Sequence, residues 1–255
     1  MSDHQGTPGQ PRRTPARAWR SLIGLPASAH GPLPQLLVVM TVTTGLVDAF
    51  SYLVLGHVFV ANMTGNVVFL AFAIAGAGGF SIAASLLALG AFAIGALSGG
   101  GLIARFGDHR ARLLAVASTV QAVLVAAALV TSLAVSSVGT GARDSLIALL
   151  GLAMGIQNAA VRKLGVPDLT TTVLTLTITG LAADSGMAQG PGSRIGRRGL
   201  SVAAMFVGAL AGALLVVHGH RSIDLVLTLV TVASVAVLAS VRWRSIEAWT
   251  KPATP

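Results

Sequence analysis

GLVDAFSYLVLGHVFVANMTGN, residues 45–66, places a carboxylate inside an apolar helix and follows it with a polar, helix-breaking patch. GIQNAAVRKLGVPDLTTTVLT, residues 155–175, does the same with amides. Gly45, Asp48 and Ala49 align with Gly155, Asn158 and Ala159, and Leu55-Gly56 aligns with Leu164-Gly165. The patch around Asn62–Asn66 aligns with Thr171–Thr175, and the offset stays between 109 and 111 positions. Polar groups are expensive in hydrocarbon, so their recurrence there asks for a reason. The pair of stretches predicts a polytopic membrane protein with an internal repeat.

Composition supports that class. Of 255 residues, 54% are hydrophobic and 10% charged, against about 25% charged in soluble domains. Six runs match the roughly 20 residues that a bilayer crossing needs: about 35–56, 82–104, 112–134, 145–163, 200–218 and 223–241. Without cysteine there is no disulfide framework, thiolate metal site or catalytic thiol. The net charge of +9 sits between apolar runs, where it sets orientation. No basic folded module remains to bind nucleic acid once the spans are removed. Residues 1–32 read as a disordered cytoplasmic tail rather than a cleaved signal. Residues 33–244 read as one helical membrane domain with repeat halves at about 33–135 and 145–241, and 245–255 as a short tail without a lipidation motif.

Two stretches, 57–81 and 165–185, open with helix breakers and are polar in their first half. Each suits either a crossing or a re-entrant segment. Charge separates the two topologies. With both stretches re-entrant and a cytoplasmic N-terminus, 15 basic residues lie inside and two, Arg143 and Arg221, outside. With both crossing, the split falls to 11 against 6. The first arrangement is favoured. It is an all-α fold of about six full spans plus two broken or re-entrant segments, with both termini cytoplasmic. The halves are then inverted copies, a plan that recurs in transporters with sites near the midplane. Gly95-x-x-x-Gly99 and Gly208-x-x-x-Gly212 suit close helix packing within the monomer, and also a homo-oligomer.

The same stretches carry a family resemblance. Gly45/Asp48/Ala49, Leu55/Gly56/Phe59, Met63/Thr64/Gly65/Asn66 and the later Ala153/Met154/Gly155/Gln157/Asn158 together resemble the YoaK family of bacterial membrane proteins. The resemblance covers roughly residues 35–241. Thr175-Leu176 departs from a Thr-Gly that the family often has. That family is of unknown function, so the resemblance implies a multi-pass inner-membrane protein and no substrate.

Asp48 is the sharpest candidate. Thr41, Thr44, Ser51 and Tyr52 lie at i−7, i−4, i+3 and i+4 from it, on one helix face. An intramembrane acid is a functional candidate by default; the alternative is that hydroxyls or helix amides hold it only to lock the fold. Asn62, Thr64, Gly65 and Asn66 offer donors, acceptors and tight backbone geometry, for solute or for capping. Gln157 and Asn158, with Thr172 and Thr175, form the matching patch in the second half, for solute or for interhelical bonding. His218 and His220 alone make a weak metal signal, and no metal or cofactor is expected. No hydrolase motif is present, and Asp184 is too far from Asp48 to pair with it, so an enzyme is not expected. The residues favour a small-solute transporter or channel with a midplane site around Asp48, partnered by the bilayer and an unidentified small solute or ion. The competing reading is a non-transporting scaffold or lipid-interacting protein.

A cysteine placed near Gly107 in this cysteine-free chain is expected to react only with reagent applied from the cytoplasm. Reaction from the outside would replace the inverted arrangement with a parallel one.

Overall fold

Helix boundaries follow local chemistry. Pro34 sits in the first turn of helix α1 (Leu33–Val54), where its missing N–H costs nothing. Ser81 caps α3 (Ile82–Phe106), accepting from the Ala84 N–H at 3.3 Å. The His109 ring does the same for α4 (Arg110–Leu133) at the Arg112 N–H. Gly165, at φ 59°, closes α5 (Thr140–Leu164) in the left-handed region. The remaining elements are α2 (Met63–Ile74), α6 (Ile195–Val217), α7 (Arg221–Ser240) and a final 3-10 turn (Ala248–Thr250). The computed structural model describes residues 30–135, 138–166, 178–179 and 195–251.

Among the described residues, six helices are long and apolar enough to cross a bilayer. No strand occurs among the described residues. The twelve residues of α2 reach only about 18 Å, short of a hydrocarbon core of about 30 Å. Two helices begin ahead of their apolar runs: α5 at Thr140 rather than 145, and α6 at Ile195 rather than 200. Both extensions are polar turns. In α5 the pair Arg143–Asp144, at 3.2 Å, accompanies the added turn.

The stretch 57–81 does not form one crossing helix. The chain reverses at Gly56 (φ 88°) and His57 (φ 59°), runs as a non-helical limb to Asn62, and returns as α2. His57 Nδ1 lies 3.0 Å from the Gly79 carbonyl, so the two ends of the excursion meet. The companion stretch, 165–185, falls almost entirely outside the described residues.

Glycine sets the two closest helix approaches. Along α1 and α6, a Cβ on Gly208 would strike the Val42 carbonyl, and one on Gly45 would strike the Met205 carbonyl and come within 2.6 Å of the Ala209 nitrogen. Along α3 and α5, a Cβ on Gly95 would strike the Leu152 carbonyl, and one on Gly155 the Phe92 carbonyl, with Ala96 N at 2.7 Å. Further along, Gly212 meets Leu46 and Ala49, and the α3–α5 contacts run from Ala88/Gly151 to Gly99/Ala159, so the partners run parallel. By contrast α1 and α5 run antiparallel. Leu33–Met40 share one apolar cluster with Ile156–Leu164, and Val47–Leu55 share another with Leu146–Met154. Helix α4 packs on α5 and α7, and α2 lies on α3.

These directions gather Arg105, Arg110, Arg112, Arg162, Lys163, Arg198, Arg242 and Arg244 at one end of the bundle, with Arg143 and Arg221 at the other. Arg110 is buried. Its guanidinium donates to the Leu164 carbonyl at the end of α5 and to the Trp249 carbonyl at 3.4 Å. It ties the last turn of one span to the start of another and to the C-terminal segment.

Gly208→Leu and Gly95→Leu are each expected to lower stability by about 1–3 kcal/mol or more through overpacking. Gly90→Leu and Gly101→Leu, where nothing lies within 4 Å, should be close to neutral. Thermal unfolding in detergent separates the two pairs; equal effects would remove the glycine crossings from the account.

Candidate functional site

The polar face of α1 is buried, but its hydroxyls do not serve Asp48. Thr41 donates to the Leu37 carbonyl (2.9 Å) and Thr44 to the Met40 carbonyl (3.0 Å). Ser51 donates to the Asp48 carbonyl at 3.2 Å. Each is satisfied within its own helix, the usual fate of an intrahelical hydroxyl. Asp48, 3% exposed, looks across to the limb instead. Its Oδ1 accepts from the Ala61 N–H at 3.2 Å, and its Oδ2 accepts from the Asn62 side-chain amide. Asp48 lies in the C-terminal half of α1, not at its middle.

The limb is held equally from its other side. Asn66, fully buried in α2, accepts from the Phe59 N–H (2.9 Å) and donates to the Phe59 carbonyl (2.5 Å). It thereby imitates a strand neighbour for one residue. Gly65 is required beside it, since a Cβ would lie 2.7 Å from the Phe59 ring. Asn62 stands at the N-cap of α2 but makes no capping bond; its side chain is used by Asp48. Thr64 is exposed. Tyr52 stacks on Phe59, with ring centroids 5.1 Å apart, and meets His57 edge-on at 5.1 Å. Asp48, Asn62 and Asn66 are therefore drawn together around one broken segment.

A cavity of about 360 Å³ opens beside this bracket, between α1 and α6. Asp48, Tyr52 and Asn62 supply its polar groups; Ala49, Leu53, Phe59, Met205, Ala209 and Ala213 supply apolar wall. Apolar walls with a few polar groups are the common form of small-molecule sites.

The amides of the second half do not join it. Gln157 is fully buried, donates to Thr44 Oγ1 at 2.9 Å and accepts from Gln121 at 2.6 Å. Gln121, Gln157 and Thr44 thus chain α4, α5 and α1 together. Asn158 donates to the Met154 carbonyl at 2.9 Å. Thr172 and Thr175 lie outside the described residues. Gln121 went unremarked in the sequence because a single amide in an otherwise apolar span has no repeat partner; its mid-span polarity was the available signal. No group of three or more His, Cys, Asp or Glu side chains gathers among the described residues.

Six bilayer-length helices and a broken segment closed on buried polar brackets define a polytopic helical membrane protein. The chain belongs to DUF1275, described as a protein family of unknown function, which matches residues 36–239. It is 37% identical over 150 residues to the UPF0700 transmembrane protein YoaK of Bacillus subtilis (strain 168). That match covers 58% of this chain and 65% of the relative, just under two thirds of its length. No solved structure matches the chain.

Asn66→Ala leaves the Phe59 N–H and carbonyl without their partner in a buried setting. A loss of about 1–3 kcal/mol is expected, read as a lowered unfolding temperature with faster proteolysis within residues 55–62. An unchanged cleavage pattern would show that the limb is held by something else.

Proposed function

We propose that this protein is a small-solute transporter or channel of the bacterial inner membrane, with its site in the cavity beside Asp48. That cavity carries the reading: an otherwise apolar space at a helix crossing is bordered by a buried carboxylate and the amide bonded to it. The site suits a solute with an apolar body and a hydrogen-bond donor or cationic end.

An inverted internal repeat supports the same reading. The α1–α6 and α3–α5 approaches use equivalent residues. Gly45, Val42 and Ala49 become Gly155, Leu152 and Ala159, 110 positions on, while Gly95, Phe92 and Ala96 become Gly208, Met205 and Ala209, 113 positions on. Helices α1 and α5, the leading helices of the two copies, run antiparallel, as inversion requires. Transporters rock such halves about a shared site. With the basic end of the bundle cytoplasmic, both termini are cytoplasmic. No catalytic chemistry enters this reading.

A scaffold or lipid-interacting role is the second reading, favoured by the bonds from Asp48 to the limb. Two measurements divide them. Ala213→Cys should react with a membrane-impermeant thiosulfonate, whereas Val237→Cys on the bundle exterior should not. In proteoliposomes challenged with a series of small polyols, amino acids and organic cations, osmotic swelling should fall about tenfold or more for Asp48→Asn, a loss of roughly 1.4 kcal/mol or more in binding terms, measured on variant protein that is inserted and folded. An unreactive Ala213→Cys, with swelling no different from empty vesicles, would favour the scaffold.

A further inference from the structure

Asp224 lies in the first turn of α7 and is fully buried. Neither of its carboxylate oxygens has a hydrogen-bond partner among the described residues. Thr228, one turn along the same face, is also fully buried, and its hydroxyl is likewise unpartnered. The carboxylate points at Gly212 of α6: a Cβ there would lie 2.8 Å from Asp224 Oδ1 and 3.0 Å from the Ala49 Cβ of α1. Asp224 therefore sits where α1, α6 and α7 meet. Ala49, Ala209 and Ala213, from the same stretches of α1 and α6, line the Asp48 cavity.

An acid in the first turn of a helix is commonly there to complement the helix dipole. That role needs its oxygens on free amides or at the surface; these are fully buried and meet no donor among the described residues. A buried, unpaired carboxylate is among the most expensive groups a protein can hold, so the site calls for a cation. Hard metal cations take about six oxygens. Two side chains supply oxygen here, and the space opposite Oδ1 is too small for the missing Cβ of Gly212. A proton fits.

We propose that Asp224, with Thr228 beside it, is an exchangeable proton site that couples proton movement to the solute cavity. The inference rests on the transporter reading. The proton comes from water, forms one O–H bond on the carboxylate and returns to water, with no other bond changed. With the proton bound, the junction stays dry and closed. With it released, the carboxylate draws in water, and the shallow glycine face of α6 is where the α1–α6 contact can part to admit it. Few charges compete. Helix α1 offers Asp48, whose carboxylate is turned to the limb. Helix α6 offers no charged group there, and the charges of α4, Arg110 and Arg112, lie at the far end. On α7 and its turn stand Arg221, which donates to the Val135 carbonyl at 2.8 Å, His218, 2.7 Å from the Leu214 carbonyl, and His220, whose own carbonyl receives the Asp224 N–H at 3.3 Å.

Dicyclohexylcarbodiimide, an apolar reagent for protonated carboxyls in dry surroundings, tests the site without any solute. Mass spectrometry of the full-length protein in lipid vesicles should find the adduct on Asp224. It should fall about tenfold or more as pH rises from roughly 6 to roughly 9, and be absent at that position in Asp224→Asn. No adduct, an adduct indifferent to pH, or protection by sodium ions alone would overturn the proposal. In vesicles holding a pH-sensitive dye, Asp224→Asn should abolish solute-driven internal pH change while leaving osmotic swelling in place. If wild-type vesicles do not swell at all, the transporter reading fails; if they swell without moving protons, this inference alone fails.

Discussion

A buried break between helices leaves backbone N–H and C=O groups without helical partners, and that constraint governs this structure. Residues 55–62 are such a break. The fold answers it with side chains placed on the two flanking helices. Asp48 of α1 takes the Ala61 amide, and Asn66 of α2 takes both polar groups of Phe59. The acid that looked anomalous inside an apolar span is part of what makes a non-helical limb tolerable there. Because Asn62 is drawn to Asp48 as well, the limb is pinned at a fixed height along α1, and the cavity between α1 and α6 acquires a polar wall.

The remaining architecture follows from where helices can approach. Lipid tails are as apolar as leucine, so helices gain little by merely hiding apolar surface from one another; close backbone contact matters more. Here glycine provides it at two crossings, α1 with α6 and α3 with α5. Around them, many hydroxyls bond back to their own helix, while Gln121, Gln157 and Thr44 form a chain that joins three helices. Several buried hydroxyls lack a partner among the described residues, Ser85, Ser118 and Ser132 with them, but Asp224 stands out because the unpartnered group is a carboxylate.

Much of this was legible in the sequence, for identifiable reasons. Hydropathy located six spans because bilayer thickness imposes their length. It misplaced the starts of α5 and α6, whose first turns project beyond the apolar run and are polar. The Asp48 and Asn62–Asn66 elements stood out because they interrupt that run. Their pairing did not, since a bond between residues 14 positions apart depends on the chain reversing at Gly56 and His57. Of the two readings of Gln157 and Asn158, a solute patch matching Asp48 treated equivalence in sequence as proximity in space, whereas interhelical bonding describes Gln157. Among the described residues Gln157 turns to Thr44 and Asn158 back to its own helix. Asp224 escaped notice because an acid near a helix start is ordinary, and only the packing above it makes it unusual. Arg110 read as an orientation signal like its neighbours, although it is buried and bonded to two distant carbonyls.

The glycine notch of α1 is filled by α6, and the notch of α5 by α3. Helix α1 thus has its tightest neighbour late in the chain, and α5 has its own earlier in it. As the polypeptide leaves the ribosome, α3 finds its partner soon after α5 emerges, whereas α1 waits with its closest contact surface vacant until nearly the whole protein has been translated. Assembly is consequently a late event, and a chain stopped before α6 would leave in the bilayer a helix that still carries a buried acid and an unmatched groove.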